Sequence, residues 1–132
     1  MNTVEIDVLY VDDALLVLNK PAGLLSVPGR GEDKQDCLSA RVQRHYPEAL
    51  VVHRLDMATS GVMVFARSPA VQRCLNDAFA SRSVTKRYIA IVDGHPDLPH
   101  SAWGVIDLPI LVDWPNRPRR VIDLVHGKPS MT

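Results

Sequence analysis

The sequence predicts an α+β fold, in which two helices pack against a mixed or antiparallel sheet. Three observations support this: the 132 residues fit one domain, short apolar runs lie between turn-forming residues, and one segment has a clear helical period. Hydrophobic residues make up 46% of the chain and charged residues 23%, which is typical of a folded protein and not of a disordered one. We therefore expect residues 1–132 to form a single domain.

Extended segments are predicted where a short apolar run lies between turn-forming residues. These runs occupy residues 8–11, 15–18, 24–27, 51–52, 62–65, 84–92, 105–106, 110–112 and 121–122. The first two are separated by the turn-prone pair Asp12-Asp13, which predicts a β-hairpin. In the run 84–92 both faces are partly apolar, and we expect it to form a strand.

The helix that follows Ser68 has the strongest local signals. Ser68 suits the N-cap position and Pro69 the first helical position. One apolar stripe follows at helical spacing, formed by Val71, Cys74, Leu75, Ala78 and Phe79. A second, shorter helix is predicted with Asp36 as its cap and Pro47 as its stop. Its apolar face consists of Leu38, Val42 and Tyr46.

The overall charge indicates no particular partner. Lys plus Arg and Asp plus Glu both number 15, which weighs against a nucleic-acid-binding protein held by bulk charge alone. A balanced total is still compatible with a basic face. Basic residues cluster at positions 41 and 44, at 82, 86 and 87, and at 117, 119 and 120.

Cysteine usage and hydropathy indicate the compartment. Cys37 and Cys74 both lie in segments with helical patterns, so we expect two small buried hydrophobic side chains in a reducing environment and no disulfide. No CxxC or HxxxH spacing suggests a metal site. Because the N-terminal residues lack the pattern of a signal peptide and no apolar run reaches membrane-spanning length, we expect a cytoplasmic protein without a membrane partner.

The candidate site is the polar segment 53–61, which lies between two predicted strands. Asp56 has apolar neighbours on both sides, Leu55 and Met57, so we expect its carboxylate to be partly desolvated. On residue types alone, an alternative remains open in which Asp56 only caps a turn that Thr59-Ser60-Gly61 closes.

Several motifs resemble those of the RluA-type pseudouridine synthases. His53-Arg54-Leu55-Asp56-x-x-Thr59-Ser60-Gly61 matches the signature of that family. Asn19-Lys20-Pro21-Ala22-Gly23-Leu24 resembles its early N-K-P-x-G-L segment, and Lys86-Arg87-Tyr88 its later K-x-Y element. Asp113-Trp114-Pro115-Asn116-Arg117-Pro118 and Gly127-Lys128-Pro129 resemble the branch that modifies both transfer RNA and 23S ribosomal RNA. The resemblance covers nearly the whole chain in register and implies the catalytic fold of that family.

This resemblance implies a catalytic role for two residues. Asp56 matches the family's nucleophile, whose carboxylate assists the isomerisation of uridine to pseudouridine. Whether the carboxylate attacks the ribose or the base is left open. Tyr88 matches the active-site tyrosine, whose ring stacks on the uracil and whose hydroxyl takes part in the transfer of the C5 proton. From the residues alone, a core tyrosine on a strand is the alternative for Tyr88.

The resemblance also implies an RNA partner and a base that leaves its stack. As a hypothesis, Arg54 contacts phosphate or holds the gap that the flipped nucleotide leaves. His53 and Thr59 are expected to orient the loop. Lys20 and Arg117 are candidate RNA contacts, with solvated surface charge as the alternative for both. The expected partners are a tRNA anticodon arm and a 23S rRNA hairpin, and no cofactor or metal is expected.

The chain departs from the family pattern in one respect. No G-R-x-H-Q motif, which supplies an arginine partner for the catalytic aspartate in that family, occurs before Thr132. We therefore expect a fragment in which Asp56 lacks its charge partner, and such a fragment can be inactive even if the family assignment is correct. Two other functions stay open: a non-catalytic RNA-binding remnant, and a small hydrolase that would use Asp56 to release free uracil.

Overall fold

The computed structural model describes residues 6–95 and 103–132. The chain divides into two compact units, Met1–Arg87 and Tyr88–Thr132. The first unit contains four strands, a short 3₁₀ helix and two α-helices: β1 (Asp7–Val11), β2 (Leu15–Lys20), the 3₁₀ helix Glu32–Lys34, α1 (Leu38–His45), β3 (Leu50–Val51), β4 (Gly61–Ala66) and α2 (Pro69–Ala80). The second contains β5 (Ile110–Val112) and β6 (Arg120–Ile122).

The first unit is built on a four-stranded sheet of order β1-β2-β4-β3, in which all neighbours are antiparallel. The predicted hairpin of β1 and β2 is confirmed. In the central pair, Leu16 lies opposite Phe65 and Leu18 opposite Met63. Alternate residues of a strand share one face, so these four side chains point to the same side and are fully buried. The core therefore lies on one face of the β2–β4 pair, where α1 adds Leu38 and Val42.

Both predicted helices of the first unit form. For α2 the predicted start is confirmed, because Ser68 Oγ accepts a hydrogen bond from the Val71 N–H at 3.3 Å and Pro69 is the first helical residue. For α1 the predicted cap is wrong. Cys37 is the N-cap, and the Asp36 carboxylate instead receives two hydrogen bonds from the Arg41 guanidinium, at 2.6 and 2.8 Å. Because the Asp36 carboxylate is paired with Arg41, it does not cap the N-terminus of α1.

Three other expectations need correction. Residues 84–92 form no strand, because no neighbouring strand pairs with them among the described residues, and Ile89 and Ile91 are fully exposed. Residues 24–27 form only a single bridge, between Leu25 and Cys37. Cys37 is buried as expected, but the expected burial of Cys74 is wrong, because its side chain is exposed. Both cysteines are free thiols.

The second unit is a hairpin with an irregular third segment beside it. The predicted strands β5 and β6 form, with Leu111 opposite Val121. The predicted strand at 105–106 does not form, although the Ile106 N–H donates to the Thr132 carbonyl at 2.8 Å. Ile110 and Lys128 exchange two backbone hydrogen bonds of 2.9 Å, so residues 128–132 run antiparallel to 106–110. Across 6–95 and 103–132, no helix combines the length and apolar character that crossing a bilayer requires.

Candidate active site

Asp56 lies on the segment that joins β3 to β4, residues 52–60, named here the Asp56 loop. Its backbone carbonyl accepts a hydrogen bond from the Thr59 N–H at 3.0 Å, which closes a turn over residues 56–59. The expected desolvation of Asp56 is wrong, because its side chain is exposed. Leu55 is buried in the core, whereas Met57 is exposed, so the chain leaves the core at Asp56 and turns outward. The carboxylate is thus accessible to a ligand.

The backbone on both sides of Asp56 is held by residues 20–26, named here the clamp segment. Ser26 Oγ donates to the Leu55 carbonyl at 2.5 Å and accepts from the Leu55 N–H at 3.1 Å. On the other side, the Met57 carbonyl accepts hydrogen bonds from the Gly23 N–H at 2.8 Å and from Lys20 Nζ at 3.2 Å. A polar group buried without a partner is costly, so these bonds favour one position of the loop. Asp56 is therefore exposed but rests on a fixed backbone.

Gly23 is required in the clamp segment by its backbone conformation. Its φ is +83°, a region that residues with a Cβ atom rarely adopt. In this conformation its N–H reaches the carbonyl of the residue after Asp56. The glycine of the N-K-P-x-G-L segment thus acts on the loop through the backbone.

The expectation that Lys20 contacts RNA from the surface is wrong. Its side chain is 0% exposed, because β2 ends with Lys20 on the core face of the sheet. Besides the Met57 carbonyl, Lys20 Nζ donates to the carbonyls of Pro21 at 3.0 Å and Leu24 at 2.7 Å. Burial lowers the pKa of Lys20 below the usual value for lysine, and the negative charge of Asp56 partly opposes this shift. Lys20 is therefore a buried cation that interacts electrostatically with Asp56.

His53 anchors the start of the Asp56 loop to β4 and α2. Its Nε2 accepts a hydrogen bond from the Val64 N–H at 3.0 Å, in the place of the carbonyl that a longer β3 would supply. Its ring stacks on Phe79 of α2 with centroids 4.7 Å apart. Burial, and to a smaller extent the positive charge of Lys86, lower the pKa of His53 below 6.5. His53 is thus a neutral acceptor that orients the loop.

This arrangement predicts a pH-dependent stability. Since the folded-state pKa of His53 lies below the unfolded value of 6.5, the unfolded chain binds a proton that the native chain does not. The contribution of His53 is complete above pH 6.5 and is lost as the pH falls from 6.5 towards the folded-state pKa. We expect His53→Gln to flatten the decline in unfolding free energy over this range, measured with urea at several pH values. His45→Gln, on an exposed histidine of α1, is the control, and an unchanged decline in His53→Gln would contradict the assignment.

Ser26 predicts a second measurable effect. Ser26→Ala removes both side-chain hydrogen bonds to Leu55, and we expect a loss of roughly 2–3 kcal/mol in the free energy of unfolding. Ser39→Ala is the matched control, because Ser39 is about equally buried and, among residues 6–95 and 103–132, its hydroxyl hydrogen-bonds only with the Cys37 thiol. Amide hydrogen exchange at Leu55 is expected to accelerate in the Ser26 variant alone. Equal losses of stability in both variants, with Leu55 exchange unchanged, would count against a clamp at this position.

The structure brings some of the predicted site residues together and separates others. His53, Arg54, Asp56 and Thr59 share one loop, on which Arg54 is exposed and Thr59 is partly buried. Tyr88 belongs to the second unit, lies outside any strand and is 62% exposed, so the alternative of a core tyrosine is wrong. Arg117 also belongs to the second unit, where it is exposed.

Sequence reasoning missed Ser26 and the buried role of Lys20. A signal for Ser26 is present in hindsight, because a small hydroxyl inside the apolar run 24–27 must find a hydrogen-bond partner if the run is buried. In the part of the chain that the structure describes, no group of three or more His, Cys, Asp or Glu side chains is arranged to hold a metal ion.

The chain is similar in sequence to known RNA-modifying proteins of one family. The sequence matches the family described as RNA pseudouridylate synthase over residues 14–132. It is 51% identical over 125 residues to the dual-specificity RNA pseudouridine synthase RluA of Escherichia coli K12, covering 95% of this chain and 56% of that protein. The RluA of Vibrio vulnificus is 48% identical over 126 residues, covering 96% of this chain and 49% of that protein. The chain thus spans about half the length of these relatives.

A solved structure shows the same fold. Human RNA pseudouridylate synthase domain containing 1 superposes with a TM-score of 0.72 at 23% identity, covering 99% of this chain and 51% of that one. The expected α+β class, as part of the pseudouridine synthase fold, is confirmed by this likeness. The family match over residues 14–132 establishes that the chain belongs to the RNA pseudouridylate synthase family.

Proposed function

We propose that this chain carries the catalytic aspartate of an RNA pseudouridine synthase, and that Asp56 performs the isomerisation of uridine in RNA. The observation that carries the proposal is the position of Asp56: an exposed carboxylate on a loop whose flanking backbone is fixed by buried hydrogen bonds. A reacting group held in this way needs little reorganisation when the substrate binds. The proposal assigns both units, residues 1–132, to the catalytic domain.

The chemistry needs no external reagent. The bond between ribose C1′ and uracil N1 breaks, the base turns, and C1′ bonds to C5. The proton lost from C5 is balanced by the proton gained at N1, so substrate and product are isomers. In this proposal the Asp56 carboxylate stabilises or captures the centre that is released when the first bond breaks. The ring of Tyr88 stacks on the uracil, and its hydroxyl takes part in the transfer of the C5 proton.

The substrate in this proposal is a uridine in an RNA hairpin loop. Leaving the stack costs a few kcal/mol and is least costly for an unpaired base. RluA of Escherichia coli K12 is described as having dual specificity, and we propose a tRNA anticodon arm and a 23S rRNA hairpin as the two substrates here. Arg54 lies two residues before Asp56, and its side chain is exposed. Its guanidinium is the proposed phosphate contact at the position that the flipped nucleotide leaves. The cytoplasm, where both RNAs act, is the proposed location.

The test is a product analysis with the full chain. The chain is incubated with each RNA hairpin, the RNA is digested to nucleosides, and the products are separated by chromatography. We expect pseudouridine to appear as uridine disappears, with no free uracil. Release of uracil would indicate the hydrolase instead. RNA binding without pseudouridine would indicate the non-catalytic remnant, and either result would refute the proposal.

A further inference from the structure

The loop of the β5–β6 hairpin carries an exposed tryptophan covered on one face by an arginine. We propose that Trp114 and Arg117 form a second RNA contact, in which the indole stacks on an unpaired nucleobase and the guanidinium binds a neighbouring phosphate. This inference rests on the proposed function to the extent that the substrate RNA supplies the nucleotide. It adds a binding site on the second unit, away from the Asp56 loop in sequence.

The loop is shaped by two successive turns. The Asn116 N–H donates to the Asp113 carbonyl at 3.1 Å, and the Arg119 N–H donates to the Asn116 carbonyl at 3.0 Å. The Asp113 N–H donates to the Arg119 carbonyl at 3.0 Å and closes the loop between the end of β5 and the start of β6. Trp114 and Arg117 hold the same position, the second, in each of these turns. The turns therefore place the two side chains side by side.

Trp114 is held in position yet remains accessible. Arg117 Cζ lies 4.2 Å from the centre of the Trp114 ring, within the range of a cation–π contact. Although the Arg117 guanidinium lies over one face of the indole, Trp114 is still 65% exposed, so most of its surface is accessible to a ligand. Because every nucleobase has a flat π face, an exposed aromatic ring is a suitable stacking surface for an unpaired base. A ring already fixed by its neighbour loses less conformational entropy on binding.

The charge of the hairpin favours RNA as the partner. Its loop and β6 carry three arginines, Arg117, Arg119 and Arg120, against one aspartate, whereas the whole chain has a formal net charge of +0. The Asp113 carboxylate is engaged by the side-chain amide of Asn116 at 3.0 Å. Guanidinium groups bind phosphate, and an aromatic ring stacks on a base. The two placed side by side can therefore bind one nucleotide. A loop nucleotide fits better than a duplex, since paired bases are stacked on each other.

The experiment uses the two tryptophans of the full chain as matched probes. Trp103→Phe leaves Trp114 as the only indole, and Trp114→Phe leaves Trp103. Each variant is titrated with an RNA hairpin that has an unpaired loop, and with a fully paired duplex of similar length. We expect the looped RNA to quench the fluorescence of Trp114 and not that of Trp103. The quenching should be half-maximal at the dissociation constant that anisotropy of the labelled RNA measures independently.

A binding series provides the second readout. We expect Trp114→Ala to weaken binding of the looped RNA by about tenfold or more and to leave duplex binding unchanged. Trp114→Phe should retain most of the affinity, because it keeps an aromatic ring. Equal quenching by the duplex, equal loss on both RNAs, or stronger quenching by polyglutamate than by RNA would overturn the proposal.

The Trp114–Arg117 contact and the proposed function can be refuted independently. If Trp114 is not quenched while pseudouridine formation continues, this contact is refuted and the proposed function stands. If the looped RNA quenches Trp114 in a chain that forms no pseudouridine, the contact stands and the proposed function fails.

Discussion

Replacing Lys20 by methionine is expected to lower the free energy of unfolding by roughly 2–5 kcal/mol, since buried carbonyls lose their donor. Methionine fills a similar volume but donates no hydrogen bond. The carbonyls of Pro21 and Leu24 would each lose their bond to Lys20 Nζ, whereas the Met57 carbonyl keeps its bond from the Gly23 N–H. The loss of stability is therefore expected to begin in the clamp segment.

The measurement is urea unfolding followed by far-UV circular dichroism. Both α-helices belong to the first unit, so the helical signal reports on the unit that contains Lys20. Lys34→Met is the control, because Lys34 is exposed and its substitution is expected to change stability by no more than about 0.5 kcal/mol. Equal stability of the two variants would show that Lys20 is not a buried hydrogen-bond donor.

The elements that could be predicted from the sequence are those specified by neighbouring residues. The start of α2 depends on Ser68 and Pro69, and the β1–β2 hairpin depends on the Asp12-Asp13 turn between two apolar runs. Both signals lie within the element itself. The position of Asp56 between two strands follows for the same reason, because β3 and β4 are apolar runs on either side of it.

The clamp could not be predicted, because its contacts join distant parts of the chain. Ser26 and Leu55 are 29 residues apart, and Lys20 and Met57 are 37 residues apart. Nothing near Lys20 distinguishes a buried lysine from a solvated one, and the solvated state is far more common. The exposure of Asp56 was missed for a related reason, since apolar neighbours do not show which way a turn leaves the core.

The predicted strand at 84–92 failed because a strand depends on its partner. Residues with suitable side chains form a strand only when a neighbouring edge accepts their backbone hydrogen bonds. Residues 84–92 have β-branched and aromatic side chains, but among the described residues no strand lies beside them. The α2 helix shows the opposite case, because its backbone hydrogen bonds are internal to the segment.

Replacing Asp56 with asparagine is the direct test of the proposed catalytic role of this carboxylate. The change keeps the size of the side chain but removes its charge and its capacity to act as a nucleophile. The measurement compares the single-turnover rate of pseudouridine formation with the dissociation constant for the same RNA. Asp13→Asn is the control, as Asp13 is an exposed aspartate in the β1–β2 turn.

We expect Asp56→Asn to slow the reaction on the order of 10³-fold or more, while RNA affinity and stability stay close to those of the unmodified chain. Asp13→Asn should match the unmodified chain in all three measurements. Pseudouridine formation by Asp56→Asn at the unmodified rate would show that the exposed carboxylate on the Asp56 loop does not perform the chemistry.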